Sequence, residues 1–122
     1  MAQVLTPVPV AVAARADRVL LTSTGTTTVL AWTPNRTQAV EVAVYVAVAG
    51  SNTALTLVVA WTDPEVGAAQ YTYYNAQTLT AGVPALQPVL LVVAQGGQPI
   101  TLTAQAGTAN TVTITAEYRA RR

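Results

Sequence analysis

A chain of 122 residues has room for one two-layer core and not for two. Hydrophobic residues make up 52% of it, mostly Ala and Val with no Phe, while charged residues make up 9%, where about 25% is ordinary. The absence of cysteine excludes disulfides and thiol chemistry, and the absence of histidine removes the commonest general base and metal ligand at neutral pH.

A net charge of +1, carried by so few charges, gives little repulsion between copies, a composition that suits a protein working in an assembly. The start Met1-Ala2-Gln3-Val4-Leu5 lacks a basic region, and Pro7 and Pro9 interrupt the apolar run, so no signal peptide is expected. Nor does any stretch reach the ~18–20 apolar residues of a membrane helix. The expectation is a soluble protein made in the cytoplasm.

Residues 1–18 read as an extended arm ahead of a domain covering 19–122. Pro7 and Pro9 hold their predecessors extended. Val8, Val10 and Val12 alternate with small residues and can add a strand to a sheet edge, although residues 13–18 also fit a helical turn. Fully extended, the arm reaches on the order of 50 Å.

The β pattern starts at Arg18. Val19-Leu20-Leu21 reads as a short strand ended by a turn at Ser23-Thr24-Gly25, and residues 28–32 as a second, closed by Thr33-Pro34-Asn35-Arg36. Two long strands follow. Val40, Val42, Val44, Val46 and Val48 take every second position, then Leu55, Leu57, Val59 and Trp61 do the same. Gly50-Ser51-Asn52 between them predicts a hairpin. Asp63-Pro64-Glu65-Val66-Gly67 makes another turn, and residues 68–74 form a strand with Tyr71 and Tyr73 on one face. Residues 75–87 are looser. Val89-Leu90-Leu91-Val92-Val93 is a continuous apolar run, the pattern of a strand buried on both faces. After Gly96-Gly97-Gln98-Pro99, residues 100–105 alternate. Gly107-Thr108-Ala109-Asn110 reads as a last hairpin, and residues 111–118 alternate again.

About eight short strands, separated by turns and with no amphipathic helix, predict an all-β fold. We expect an antiparallel β-sandwich of jelly-roll type; an immunoglobulin-like sandwich fits the same strand count.

Little in the chain carries chemistry. Asp63 and Glu65 are the one close acidic pair, and a calcium site would need six to eight oxygen ligands that the neighbourhood does not offer. Glu41 and Glu117 are candidates for a glycosidase pair only if folding brings them together. Ser23 and Ser51 lie in turns with no His or Lys to activate them. Gly96-Gly97 precedes no helix and is not a phosphate loop. No catalytic, cofactor-binding or metal-binding residue is expected, and the chain reads as a non-enzyme.

Tyr71, Tyr73 and Tyr74 offer a surface on which a sugar could stack, with packing against the core as the competing role. Trp61 continues the inward stripe of its strand. The cations sit at the chain ends: Arg15, Arg18 and Arg36 ahead of the long strands, and Arg119, Arg121 and Arg122 after the last. Brought together they would form a basic patch for an acidic protein surface. Six Arg offset by five acids do not make a nucleic-acid face. The sheet edges have no Lys and, on the long strands, no interior charge except Glu41. They call for cover by arm exchange or neighbouring subunits.

Two stretches, Val58-Val59-Ala60-Trp61-Thr62-Asp63-Pro64 and Gly97-Gln98-Pro99-Ile100-Thr101-Leu102, together with the closing Ile114-Thr115-Ala116-Glu117-Tyr118, resemble a group of small β domains in head, tail and fibre proteins of tailed bacteriophages. The resemblance spans roughly residues 38–118 and rests on turns and strand patterns, not on a site. It implies a virion structural protein with no catalytic residues. On that basis we expect a capsid decoration (cementing) protein, a homo-oligomer such as a trimer, assembled in the host cytoplasm on a major capsid protein, with no nucleic-acid or membrane partner. The contacts expected are Val4, Leu5, Val8, Val10, Val12, Arg15, Arg18, Arg119, Arg121 and Arg122. The alternative is a tail or fibre domain binding carbohydrate through Tyr71, Tyr73 or Tyr74.

Overall fold

The computed structural model describes residues 11–35 and 37–120. Its strands are β1 (Ala11–Leu20), β2 (Thr27–Trp32), β3 (Val40–Gly50), β4 (Asn52–Asp63), β5 (Gly67–Thr72), β6 (Gln77–Leu79), β7 (Val83–Ala94), β8 (Ile100–Gln105) and β9 (Val112–Ala120), and no described residue is helical. All strand pairs are antiparallel. One sheet has the order β1-β9-β3-β7. The other runs β2-β8-β4-β5, with β6 pairing the start of β4. The chain bends away between β5 and β6, but Tyr73 and Tyr74 still exchange backbone hydrogen bonds with Leu57 on β4, so β5 and β6 act as one interrupted edge strand. Counted that way, eight strands interleave between two four-stranded sheets in jelly-roll order. Among consecutive strands only β4 and β5 pair, which rules out the immunoglobulin-like alternative, where several consecutive strands are neighbours.

That topology corrects the expected hairpin at Gly50-Ser51-Asn52. β3 and β4 belong to different sheets and face each other across the core. Gly50, at φ +107°, swings the chain from one sheet to the other. A Cβ there would lie 2.1 Å from the Thr111 carbonyl oxygen, so no other residue fits. The valines of β3 and Leu55, Leu57 and Val59 of β4 bury the same stripes whether the strands pair or stack, and so the alternation reads alike in both cases. The connection at Gly107-Thr108-Ala109-Asn110 likewise joins strands of different sheets rather than a hairpin.

The core lies between the inner faces, with Val42, Val44, Val48, Leu55, Leu57, Val59, Ile100, Leu102, Ile114 and Tyr118 fully buried. Tyr118 crosses from one sheet to the other, its hydroxyl donating to the Leu30 carbonyl at 2.9 Å. Burial pushes that phenol well above its ordinary pKa.

The arm boundary also moves. Residues 11–18, expected in the arm or in a helical turn, are the body of β1, paired along β9 from Ala11↔Ala120 to Leu20↔Thr113. Val19-Leu20 is the end of that strand rather than a separate one. Ala14, Ala16 and Val19 pack against the core. Alanines at alternate positions bury too little area to mark a strand in the sequence. Val4, Leu5, Val8 and Val10 lie outside the described residues, as do Arg121 and Arg122.

Candidate functional site

Among the described residues each sheet ends in two edge strands, and three of the four edges carry a defence or a break. β1 has two register shifts and a left-handed residue, Arg18 at φ 49°, and carries Arg15, Asp17 and Arg18. β2 is six residues long with a shift between Thr28 and Leu30. The β5–β6 edge is interrupted at residues 73–76. β7 is the longest, at 12 residues, and it divides in two. Its first half contains Pro84 and Pro88, which offer no backbone N–H, and register shifts fall on β3 between Val44 and Tyr45 and between Val46 and Val48. Its second half, residues 89–94, has no proline, no charge and an unbroken register from Leu90↔Val44 to Ala94↔Val40. The run expected to be buried on both faces is therefore half of an edge strand. Val92 and Ala94 face the core, while Leu91 and Val93 are 53% and 41% exposed on the outer face. An edge strand has no neighbour on one side to cover such side chains, and an open backbone beside exposed aliphatics is a template for another strand.

The outer face of the same sheet holds a charge network the sequence did not reveal. Glu117 on β9 is 3% exposed although it points away from the core. Its carboxylate accepts from Arg119 Nε at 2.6 Å and from Arg15 Nη1, and Arg15 Nη2 reaches Asp17 at 3.0 Å. The Arg119 guanidinium lies 4.0 Å from the centre of the Tyr45 ring. Arg119, and then Arg15, hold the Glu117 carboxyl below the ordinary carboxylate range in spite of its burial. Two of the arginines expected at a partner contact thus serve an internal ion pair. Arg18 remains exposed, at the lip of a groove of about 430 Å³ with Ala47, Ala49, Thr113 and Thr115. Val12, on β1, is exposed. Glu41 lies on this face opposite Val93, while Glu117 lies opposite Tyr45 four residues further along β3, so the two carboxylates do not form a pair across a cleft.

The three tyrosines do not form a platform. Tyr74 is buried in the core, and its ring sits 4.5 Å from that of Tyr73, centre to centre. Burial, and secondarily Tyr73, raises the Tyr74 pKa. Only Tyr71, on β5, is exposed. Trp61 packs against the core as expected, with an indole N–H that has no partner among the described residues. Asp63 uses one carboxylate oxygen to accept from the backbone N–H groups of Glu65 and Val66, which closes its turn. Among the described residues no group of three or more acidic, His or Cys side chains is placed to hold a metal.

One buried polar residue was not foreseen. Asn52, at the start of β4, donates to the Thr108 carbonyl (2.8 Å) and Thr111 Oγ1 (2.7 Å) and accepts from the N–H groups of Gly107 (2.8 Å) and Ala54 (3.2 Å). It pins the β8–β9 connection to the β3–β4 crossing. The groove beside it, about 460 Å³, is lined by Ser51, Thr53, Thr78, Thr80, Thr108 and Thr111 together with Leu79, and their carbon atoms make up most of its surface.

No protein-family model matches the chain, and no curated protein and no solved structure is significantly similar to it. The resemblance to phage β domains rests on the turn and strand motifs alone.

Proposed function

We propose that the chain is a non-enzymatic structural subunit of a virion, a capsid decoration (cementing) protein that works as a homo-oligomer on the major capsid protein. The observation that supports this most is the second half of β7, residues 89–94, with Leu91 and Val93 exposed beside a backbone edge that has no strand partner among the described residues. A surface of this kind is a template for association unless a neighbour covers it. The low charge of the chain and the jelly-roll order, an architecture shared with viral capsid domains, agree with that role. Stabilisation would be mechanical: each Å² of apolar surface removed from water contributes about 25 cal/mol. The contact set is narrower than the sequence implied, because Arg15 and Arg119 are committed to Glu117. It comprises residues 4–10, Val12, Arg18, Arg121, Arg122 and the β7 edge. The carbohydrate alternative loses Tyr74 to the core and Tyr73 to the ring beside it, which leaves Tyr71 alone exposed.

The test is quantitative mass spectrometry of purified particles from the virus or prophage that encodes the chain. The chain should be present in fixed proportion to the major capsid protein and should rebind to shells stripped of it. Its absence from particles that are otherwise complete would refute the assignment.

A further inference from the structure

We propose that residues 4–10 of one copy pair, antiparallel, with residues 89–94 of β7 in a second copy, so that the protein associates by strand exchange. This deepens the assembly reading above and rests on it only in requiring a second copy.

The first support is the spacing of the prolines. In an extended strand the N–H and C=O of successive residues point to opposite edges. Pro7 and Pro9 fall on the same parity, so one edge of residues 4–10 keeps only the N–H of Leu5 while the other, carrying Val4, Thr6, Val8 and Val10, has kept all of its own. Such a segment can join a sheet through one edge and ends it with the other, which permits closed pairing and blocks further growth.

The second support is fit. Seven residues at about 3.3 Å each span about 23 Å, and the receiving six span about 20 Å. The receiving half of β7 is the stretch where the backbone is free of proline and the exposed aliphatics lie.

Strand direction decides between one copy and two. β1 and β7 are the opposite edges of one sheet, and the start of β1 and the end of β7 lie at the same end of it. A segment lying along β7 of its own copy would have to run toward that end before entering β1, which makes it parallel to β7. It would also have to cross four strand spacings, from the far side of β7 past β3 and β9 to β1, about 19 Å, and so spend about six residues. A second copy carries neither constraint and allows the antiparallel pairing found everywhere else in the sandwich.

The chain has no cysteine, so crosslinks can be placed cleanly. Val8→Cys and Pro9→Cys, which sample the two faces of the segment, are each mixed as purified full-length protein with Leu91→Cys and oxidised. One of the two mixtures should form a disulfide between copies at least about ten-fold faster than any variant alone, the advantage expected when pairing raises local concentration. Light scattering should show the wild type as an oligomer. Val8→Ala, which keeps the N–H, should remain one, whereas Val8→Pro, which removes it, should be monomeric with an unchanged β spectrum. A monomeric wild type, a Leu91→Cys variant that crosslinks fastest to itself, or an oligomer indifferent to Val8→Pro would each overturn the proposal; the second result would instead mean β7 edges joined to each other. These measurements use pure protein without shells, so failure here leaves the virion assignment to be judged by the particle analysis.

Discussion

Asn52→Ala tests how the β8–β9 connection is held. The side chain makes four hydrogen bonds, filling both donors and two acceptor positions of its amide while being 3% exposed. A net hydrogen bond contributes about 1 kcal/mol. Thr108, Thr111 and Gly107 are exposed enough to regain water when the amide is removed, and Ala54 is half-buried. The loss should therefore be about 2–3 kcal/mol, below the full sum of four. At about 4 °C per kcal/mol for a chain of this size, the midpoint of thermal unfolding should fall by about 10 °C. Urea unfolding followed by far-UV circular dichroism and Trp fluorescence should show a lower midpoint with an unchanged slope. Asn52→Asp keeps the acceptors and loses the donors, setting a carboxylate against the Thr108 carbonyl. It should be as damaging as Ala at pH 7 and recover in part once protonated, below about pH 4. A loss under about 0.5 kcal/mol in Asn52→Ala would refute the view that this amide holds the connection.

Gly82 and Gly97 should respond differently to alanine. A Cβ at Gly82 would lie 2.0 Å from the Val48 carbonyl oxygen and 2.7 Å from its carbon, both backbone, so Gly82→Ala should cost about 3 kcal/mol by forcing β7 from β3. Gly97 has open space around it but sits at φ +79°, and Gly97→Ala should cost about 1–2 kcal/mol of backbone strain; the reverse order by chemical denaturation would contradict the packing at Gly82. Glu117 gives a pH signature. Its folded pKa lies below the unfolded value of about 4.3, so the folded state binds the proton less readily. Its contribution is present in full above that value and is lost as pH falls through the lower folded one. The stability gap between wild type and Glu117→Gln should narrow as pH drops below about 4, and a gap constant from pH 7 to 3 would show that the two arginines do not act on this carboxylate.

Much of the fold is legible in one dimension because a strand with one buried face writes its period into the sequence. The alternation of Val40 to Val48, of Leu55 to Trp61 and of Ile114 to Tyr118 marks strands and inner faces correctly. The turns at Asp63 and Gly97 appear as expected, since Asp, Pro and Gly signal them through local chemistry. The candidate site was less legible. Arg119 and Glu117 are two residues apart, but Arg15 lies about a hundred positions away from Glu117 and meets it only because β1 pairs with β9. Asn52 looked like an ordinary turn residue, and its burial depends on a loop more than fifty residues later.

By itself, then, the amino-acid order determined an all-β chain, the faces its strands turn inward and the one-sided proline pattern of residues 4–10. These are properties of single strands and of composition, which neighbouring residues settle locally. Only the tertiary structure decided that β3 and β4 face each other across the core instead of pairing, that residues 11–18 belong to the sheet, and that the apolar run ending at Ala94 lies at an edge. A strand's alternation specifies what it buries but not which strand lies beside it. Partner choice comes from packing both sheets against one core, and that choice leaves residues 89–94 without a second strand partner among the described residues.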